Sequence, residues 1–568
     1  MRKHLETLLA FLLLFNGHVM GQQSWYTPFP YPTEKEVTGD SAVVVSAHPL
    51  ATQVGVDILR RGGNAADAAV AVQFALAVVY PQAGNIGGGG FLVYRGKDIT
   101  ATLDYREKAP AGAYETMYLD SSGQVVSAKS RYGALASGVP GTVDGMWTFH
   151  QKFGKLPWGE LINPAIELAQ KGFQVTEQEA ENLNEEKLFF VRNSSIIPAF
   201  VKFEPWKKGD WLIQRELSLT LARIAGEGRK GFYEGATATL LVQEMEKKGG
   251  MLRREDLRDY RSVWRFPLEF DYKDYRIISM GPPSSGGIIL QQLFGMLSAS
   301  PLSEDGFHTP AAVHRMVEAE RRAFADRATY LGDPDFWKVP VRGLTHPAYL
   351  SARMADFDPT KAGSSAQTEA GKVVESEETT HYCVVDFEGN AVSVTTTLND
   401  RYGSRTVVAG GGFILNNEMD DFSAKPGTPN LYGAIGGKAN AIVAGKRPLS
   451  SMTPTIVTRK GKVFLIVGTP GGTTIPTSVF QVLINVLDYG KSLPEAVQSG
   501  RFHHQWRPDH ISVEADGLPA ETLKALESMG HSIRQRGGLG RVEAIIRLDN
   551  NRWQGVADKR GDDTARGY

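Results

Sequence analysis

An α+β fold, with stacked strands packed between layers of helices, is the architecture that this chain of 568 residues predicts. Three observations carry the prediction. Helical patterns with apolar faces stand at residues 49–79 and 309–331. From Thr379 onward the pattern turns strand-rich, with short apolar runs at 382–385, 392–397, 413–415, 455–457 and 464–467 and one helix over about 476–487. At 42% hydrophobic residues, the chain can bury a large core and exceeds the usual single-domain length. Strands of this kind with flanking helices suggest an αββα sandwich.

Composition narrows the functional classes. The net charge is −1, and acidic and basic residues are interspersed, so no nucleic-acid or polyanion surface is expected. Met1-Arg2-Lys3-His4 followed by the apolar run 8–15 and a small-residue exit at 16–21 reads as a secretory signal peptide over residues 1–21. The run is shorter than the about 20 residues that span a bilayer, so no stable membrane span is expected. An exported protein, periplasmic or extracellular, follows. The single cysteine, Cys383, excludes an intramolecular disulfide and reads as a small buried hydrophobe.

In chain order, residues 42–47 form a short strand, and His48-Pro49 opens a helix closed by Arg60-Arg61-Gly62-Gly63. Asn64 caps a second, Ala-rich helix over 65–79, stopped by Pro81 and apolar almost all round, hence buried. Gly87-Gly88-Gly89-Gly90 lacks the Lys-Ser/Thr of a phosphate loop. Thr309-Pro310 starts a strong helix with an apolar stripe of Val313, Met316, Val317, Phe324 and Leu331; its Arg and Glu residues read as a solvated face. Residues 364–378 are polar and without periodicity, either a surface loop or an exposed processing segment.

That segment runs into Glu378-Thr379-Thr380-His381-Tyr382-Cys383-Val384-Val385-Asp386. Phe387-Glu388-Gly389-Asn390 is a turn and 391–397 a second strand, so the pair reads as a β-hairpin. A turn centred near Glu388-Gly389 makes paired residue numbers sum to 776 or 777, placing Thr379 opposite Thr397 or Leu398. Two hydroxyls and Asn399 gather at the open end. Taken alone, a Thr-Thr pair is ordinary β-propensity.

Further motifs change that weighting: Gly84-Asn85-Ile86-Gly87 with its following glycines, Asp104-Tyr105-Arg106-Glu107-Lys108-Ala109-Pro110, Asn416-Asn417-Glu418-Met419-Asp420-Asp421, Lys446-Arg447-Pro448-Leu449-Ser450-Ser451-Met452 and Gly468-Thr469-Pro470-Gly471-Gly472. Together, in this order, they resemble the γ-glutamyltranspeptidases of the N-terminal nucleophile (Ntn) hydrolase superfamily, from about Ala42 to Tyr568. The resemblance implies an αββα Ntn-hydrolase sandwich assembled from two subunits cut from one precursor between Glu378 and Thr379. The large subunit would span 22–378 and the small one 379–568, the two remaining associated.

The implied chemistry is economical. A threonine hydroxyl needs an adjacent base, and an N-terminal threonine supplies its own α-amine, with a reference pKa of about 7.7–8.0. Thr397 is positioned to tune that amine. By resemblance, Gly471 and Gly472 form an oxyanion cup at a helix entrance. A γ-glutamyl donor carries an α-ammonium, matched by Glu418 and Asp421, and an α-carboxylate, matched by Arg106, Ser450 and Ser451, with Asn399 bridging. Acceptors would be water, amino acids or peptides. Neither a metal nor an organic cofactor is expected; His503-His504 lack a third ligand at metal spacing. Residues 423–433, with Tyr432, resemble a lid loop or are a plain surface loop. Two rivals stay open: a cephalosporin-acylase-like or poly-γ-glutamate-processing amidohydrolase of the same fold, and an unprocessed, non-catalytic binding protein.

Overall fold

The computed structural model describes residues 29–368, 379–425 and 437–568. The expected signal peptide, Glu378 and the loop carrying Tyr432 lie outside the described residues.

Two seven-stranded sheets, antiparallel throughout, form the centre. One runs in the order Thr564–Gly567, Val43–Ser46, Thr380–Val385, Ala391–Thr397, Gly89–Arg95, Thr100–Asp104, Val263–Arg265. The other runs Glu36–Gly39, Trp553–Ala557, Glu543–Arg547, Lys462–Gly468, Thr455–Arg459, Tyr275–Ser279, Leu268–Tyr272. The strand period of two divides the residues between layers. Val43, Val45, Cys383 and Val385 meet Ile456, Ile466 and Ile545 between the sheets. Val44, Tyr382 and Val384 face outward into the helices Pro49–Arg60, Ala65–Val79 and Trp158–Lys171. Helices Gly286–Met296, Pro310–Tyr330 and Ile475–Leu487 cover the opposite face. The expected αββα sandwich is what the chain builds.

Local signals act as read. Asn64 and Asp67 form a reciprocal capping box on the Ala-rich helix, all of whose residues are buried. The hairpin turn has Gly389 at φ 81°, and Asp386 Oδ1 accepts from the Glu388 and Asn390 amides. Thr380 pairs with Thr396 and Val385 with Ala391, so the register sum is 776.

Two expectations are corrected. The charged residues of Pro310–Tyr330 are not a solvated face: Glu318, Glu320, Arg321, Arg322, Asp326 and Arg327 are all buried. Its polar side meets Asp356, Ser365, Ser451 and Asp509 of surrounding loops instead of water. Second, 413–415 is not a regular strand. Gly410 and Gly412, at φ 72° and 71°, turn the chain back on itself, leaving only an isolated bridge between Val407 and Ile414.

Candidate active site

The hairpin's open end is built by close backbone packing. Thr397 pairs with Gly89 and Thr396 with Gly90. A Cβ on Gly88 would stand 2.0 Å from the Thr397 carbonyl, so the glycine run lets the neighbouring backbone press against this strand. Asn85 Nδ2 donates to the same carbonyl at 2.9 Å. One step past Thr380–Thr396, the register sets Thr379 opposite Thr397, both buried.

Beyond Thr397 the chain turns at Asn399, at φ 80°, a conformation asparagine tolerates better than most residues. Its amide donates to Thr397 Oγ1 at 2.7 Å and its Nδ2 to the Asn417 carbonyl at 3.0 Å. The Asn417 amide returns a bond to Leu398, and Asn416 Nδ2 donates to Gly87 and Gly138. These bonds bring the one-turn 3-10 helix Glu418–Asp421 beside the hairpin, where Glu418 and Asp421, two of its three acids, line one pocket.

Arg106, two residues beyond the strand Thr100–Asp104, points between those acids. Its guanidinium donates to Glu418 and, at 2.5 Å, to Asp421, and lies 3.6 Å from Glu107. It is 1% exposed, so these are buried ion pairs and not surface ones. Burial drives the Glu418 and Asp421 carboxyls upward, partly offset by Arg106; burial also pushes Glu107 up to about 7. Ser450 is anchored through its carbonyl, which accepts from the Ser285 amide at 2.8 Å and hydroxyl at 2.7 Å. Its own Oγ accepts from the Met452 amide at 3.1 Å.

Gly471 and Gly472 have φ of 133° and 52°, which a side chain would strain, and lead into Ile475–Leu487 through a short 3-10 turn. The Thr474 amide and hydroxyl both bond the Gly471 carbonyl, turning it into the loop. Amides at such an entrance have no intrahelical acceptor and carry the positive end of the helix dipole.

One pocket collects Arg106, Thr379, Thr397, Asn399, Glu418, Asp421, Ser450, Ser451 and Gly472. Of the sequence-predicted residues, Gly471 alone among those described lines the adjoining cavity instead. The same pocket holds Arg327, which sequence reasoning missed. Its guanidinium donates to Ser285 and Ser451 hydroxyls, each at 3.1 Å, and burial lowers its pKa to about 10. A signal existed: Val313, Val317, Glu320, Phe324, Arg327 and Leu331 follow 4,3,4,3,4 spacing, which puts two charges on the apolar stripe. Arg106 and Arg327 thus line one pocket with the carboxyls of Glu418 and Asp421, and Glu107 stands 3.6 Å from Arg106, an arrangement that can exchange its internal ion pairs for those of a small zwitterion.

Among the described residues, donor atoms of His314, Glu318 and His531 approach within 4.8 Å, away from the pocket. There His314 Nδ1 and His531 Nε2 bond each other at 2.8 Å, and Arg321 and Arg322 claim Glu318. Burial pushes Glu318 upward, but those arginines outweigh it and hold the carboxyl at about 2. His503 and His504 bond Thr477, Gln505 and Asp509.

An αββα sandwich with a threonine at the open end of a central hairpin, an amide-lined helix entrance and a buried ionic pocket defines the class of N-terminal nucleophile amide hydrolases. Residues 51–568 match the family described as Gamma-glutamyltranspeptidase. The chain is 46% identical to the glutathione hydrolase proenzyme of Escherichia coli (strain K12) over 552 residues, covering 95% of each. The structure resembles the γ-glutamyltranspeptidase of Helicobacter pylori at TM-score 0.56 and 40% identity, covering 61% of this chain and 97% of that one. It resembles the cephalosporin acylase of Bacillus halodurans at TM-score 0.81 and 26% identity, covering 96% and 99%. The chain belongs to the γ-glutamyltranspeptidase family.

Proposed function

We propose that this protein is a self-processing glutathione hydrolase and γ-glutamyltransferase with Thr379 as nucleophile. In the precursor, Thr379 Oγ1 attacks the Glu378 carbonyl carbon, the peptide nitrogen takes a proton and leaves as the new α-amine, and water opens the resulting ester. The products are a large subunit, 22–378, and a small subunit, 379–568, of 357 and 190 residues. In turnover the α-amine accepts the hydroxyl proton as Oγ1 attacks the γ-carbonyl. Gly471 and Gly472 amides receive the oxyanion, a contribution of about 3 kcal/mol per donor. The ammonium formed protonates the departing amine, and water or an acceptor amine then releases the γ-glutamyl group. Arg106 with Ser450 and Ser451 takes the α-carboxylate, Glu418 and Asp421 the α-ammonium, and Asn399 bridges them.

The observation that carries this reading is the convergence of Thr379, Arg106, Glu418 and Asp421 on one pocket. An acyl group without an α-ammonium would leave Glu418 and Asp421 with no ligand charge to meet, which favours a γ-glutamyl headgroup over the acylase reading. Export, to the periplasm or beyond the cell, belongs to the same reading and rests on the n-region and apolar run of residues 1–21. Among the described residues, no helix is long and apolar enough to cross a membrane.

N-terminal sequencing of the purified protein tests the whole. Two fragments beginning at Gln22 and Thr379, with hydrolysis of a γ-glutamyl anilide accelerated by a dipeptide acceptor, are expected. A single intact chain without that activity would leave the non-catalytic binding protein instead.

A further inference from the structure

Arg327 enters the pocket from the last turn of the helix Pro310–Tyr330, and its bonds use only part of its donor set. Nε donates to the Ser285 hydroxyl and Nη2 to the Ser451 hydroxyl, both at 3.1 Å. Nη1 has no acceptor among the described residues, and no described carboxylate forms an ion pair with this guanidinium. Burial and the nearby Arg106 lower its pKa to about 10 while Asp421 opposes them through space, so the group stays cationic at neutral pH. Arg106 is placed differently: Glu418 and Asp421 occupy its fork. A buried cation bonded to hydroxyls alone, without a counter-charge, is unfavourable for folding. In a pocket beside a nucleophile, such a group is complementary to an anion that the ligand brings.

The neighbouring serines follow from the same side chain. The Ser285 hydroxyl, which accepts from Arg327, donates its own proton to the Ser450 carbonyl at 2.7 Å. Arg327 therefore holds both members of the serine pair, Ser450 through Ser285 and Ser451 directly. Ser451 Oγ accepts from Arg327, and no described group accepts the Ser451 proton, which is left for a ligand. Arg106 grips the other end of this segment, donating to the Pro448 carbonyl at 3.3 Å and the Leu449 carbonyl at 3.4 Å. Two guanidiniums thus bracket one serine pair, and only Arg106 has ion pairs to break before it can meet a carboxylate.

We propose that Arg327 is a specificity-determining cation of this pocket: it receives the α-carboxylate of the γ-glutamyl donor through Nη1 and through the Ser451 hydroxyl that it orients. This rests on the γ-glutamyl reading above and deepens it. The α-ammonium takes over Glu418 and Asp421, which frees Arg106 to close on the carboxylate from the other side. Arg327 has no pair to surrender, so it supplies net attraction for the carboxylate from the first encounter. The ligand class is an acyl donor with a free α-carboxylate; its neutral α-amide would leave Arg327 buried and unmatched.

The test compares a γ-glutamyl anilide with its α-carboxamide, which differ in that charge, in the parent, Arg327→Met and Arg327→Lys. Each preparation is first confirmed as two fragments by gel. The parent should favour the free acid in kcat/KM by at least about a hundredfold, as expected where a charged group would be left buried and unpaired. Arg327→Met should cut that preference at least about tenfold, chiefly through a higher KM for the acid, the mark of lost ground-state binding. Its melting temperature should equal or exceed the parent's, because an apolar side chain replaces an unpaired buried charge. Arg327→Lys, the milder change, keeps the charge but loses the fork, so KM should rise by about threefold or more for the acid alone. A parent preference near unity, or one unchanged in both variants, overturns the assignment. So does a lowered melting temperature in Arg327→Met with KM shifted equally for both donors, the outcome of a purely structural role. A parent that hydrolyses neither donor overturns the functional reading beneath it.

Discussion

Thr379 and Thr397 show how much rests on single hydroxyls. Thr379 is 3% exposed and Thr397 2%, so neither has bulk water as a proton acceptor. Because Thr397 Oγ1 already accepts the Asn399 amide at 2.7 Å, its own proton is directed elsewhere, and the register puts the Thr379 terminus opposite it. Thr379→Ala removes the oxygen proposed to attack; one uncut polypeptide with no γ-glutamyl anilide hydrolysis is expected on gel and in assay. Efficient cutting in that variant would remove the autocatalytic step. Thr397→Val keeps the shape and deletes the hydroxyl. Maturation and kcat should both fall, by about 10- to 100-fold for a positioned proton-handling group. In the parent, the rate should climb as pH rises through about 7.7–8.0, the reference range of an α-amine. Equal maturation half-times for parent and Thr397→Val would show that this hydroxyl plays no part.

At the scale of elements, the site is an encounter between a strand end, a one-turn 3-10 helix and a long helix. Arg106 leaves the strand Thr100–Asp104 and is held by the Glu418–Asp421 turn, while Arg327 reaches in from Pro310–Tyr330. Breaking a buried pair by removing one partner costs about 3–5 kcal/mol, because the remaining charge is left in a medium that cannot solvate it. Arg106→Ala therefore has two effects. Protonation of Glu418, which burial already favours, relieves part of the strain, so the chain should fold and cut itself with a lowered melting temperature. The apparent KM for γ-glutamyl donors should rise at least about tenfold through loss of the carboxylate fork. A normal KM would show that Arg106 serves the turn and not the ligand.

For the molecule as a whole, buried ionisable groups set a stability profile. Burial lowers His381 and His503 to about 3 and His504 to about 4, from an ordinary value of 6.5. A depressed folded value means stability that is present above about pH 6.5 and is lost as pH falls towards 3–4. Glu179 has the opposite sign. Burial raises it from 4.5 to about 8, so its contribution is present below 4.5 and lost as pH rises through 8. His48, His308 and His531 are depressed by burial in the same way and add to the acid limb, while Glu107, Glu320, Glu418 and Glu543, all raised by burial, act with Glu179 on the alkaline side. Melting temperature should thus be highest between about pH 4.5 and 6.5 and decline in both directions, with Glu179→Gln removing part of the upper limb. A profile flat from pH 4.5 to 8 would contradict this account.

By itself the sequence determined whatever local rules dictate. The hairpin at Thr379 follows from period-two alternation and an Asp-initiated turn with glycine in the left-handed region, the Ala-rich helix from its Asn64 cap, and the paired acids of the 3-10 turn from their spacing of three. The αββα layering was legible because the strand-rich C-terminal part had helical patterns to flank it. The site was legible as a set of residue types complementary to one zwitterion, but their convergence was not. Arg106 lies 312 residues from Glu418 and 344 from Ser450, and only packing brings them to one pocket. Burial of Glu320 and Arg327 was likewise decided by tertiary structure. A helix shows its own apolar stripe, but whether its charged side meets water depends on what the remainder of the chain lays over it. The segment 413–415 failed as a strand for a related reason: apolar residues permit an extended run, and the backbone hydrogen bonds go wherever the fold supplies partners, here to the glycine-turned loop at 404–408.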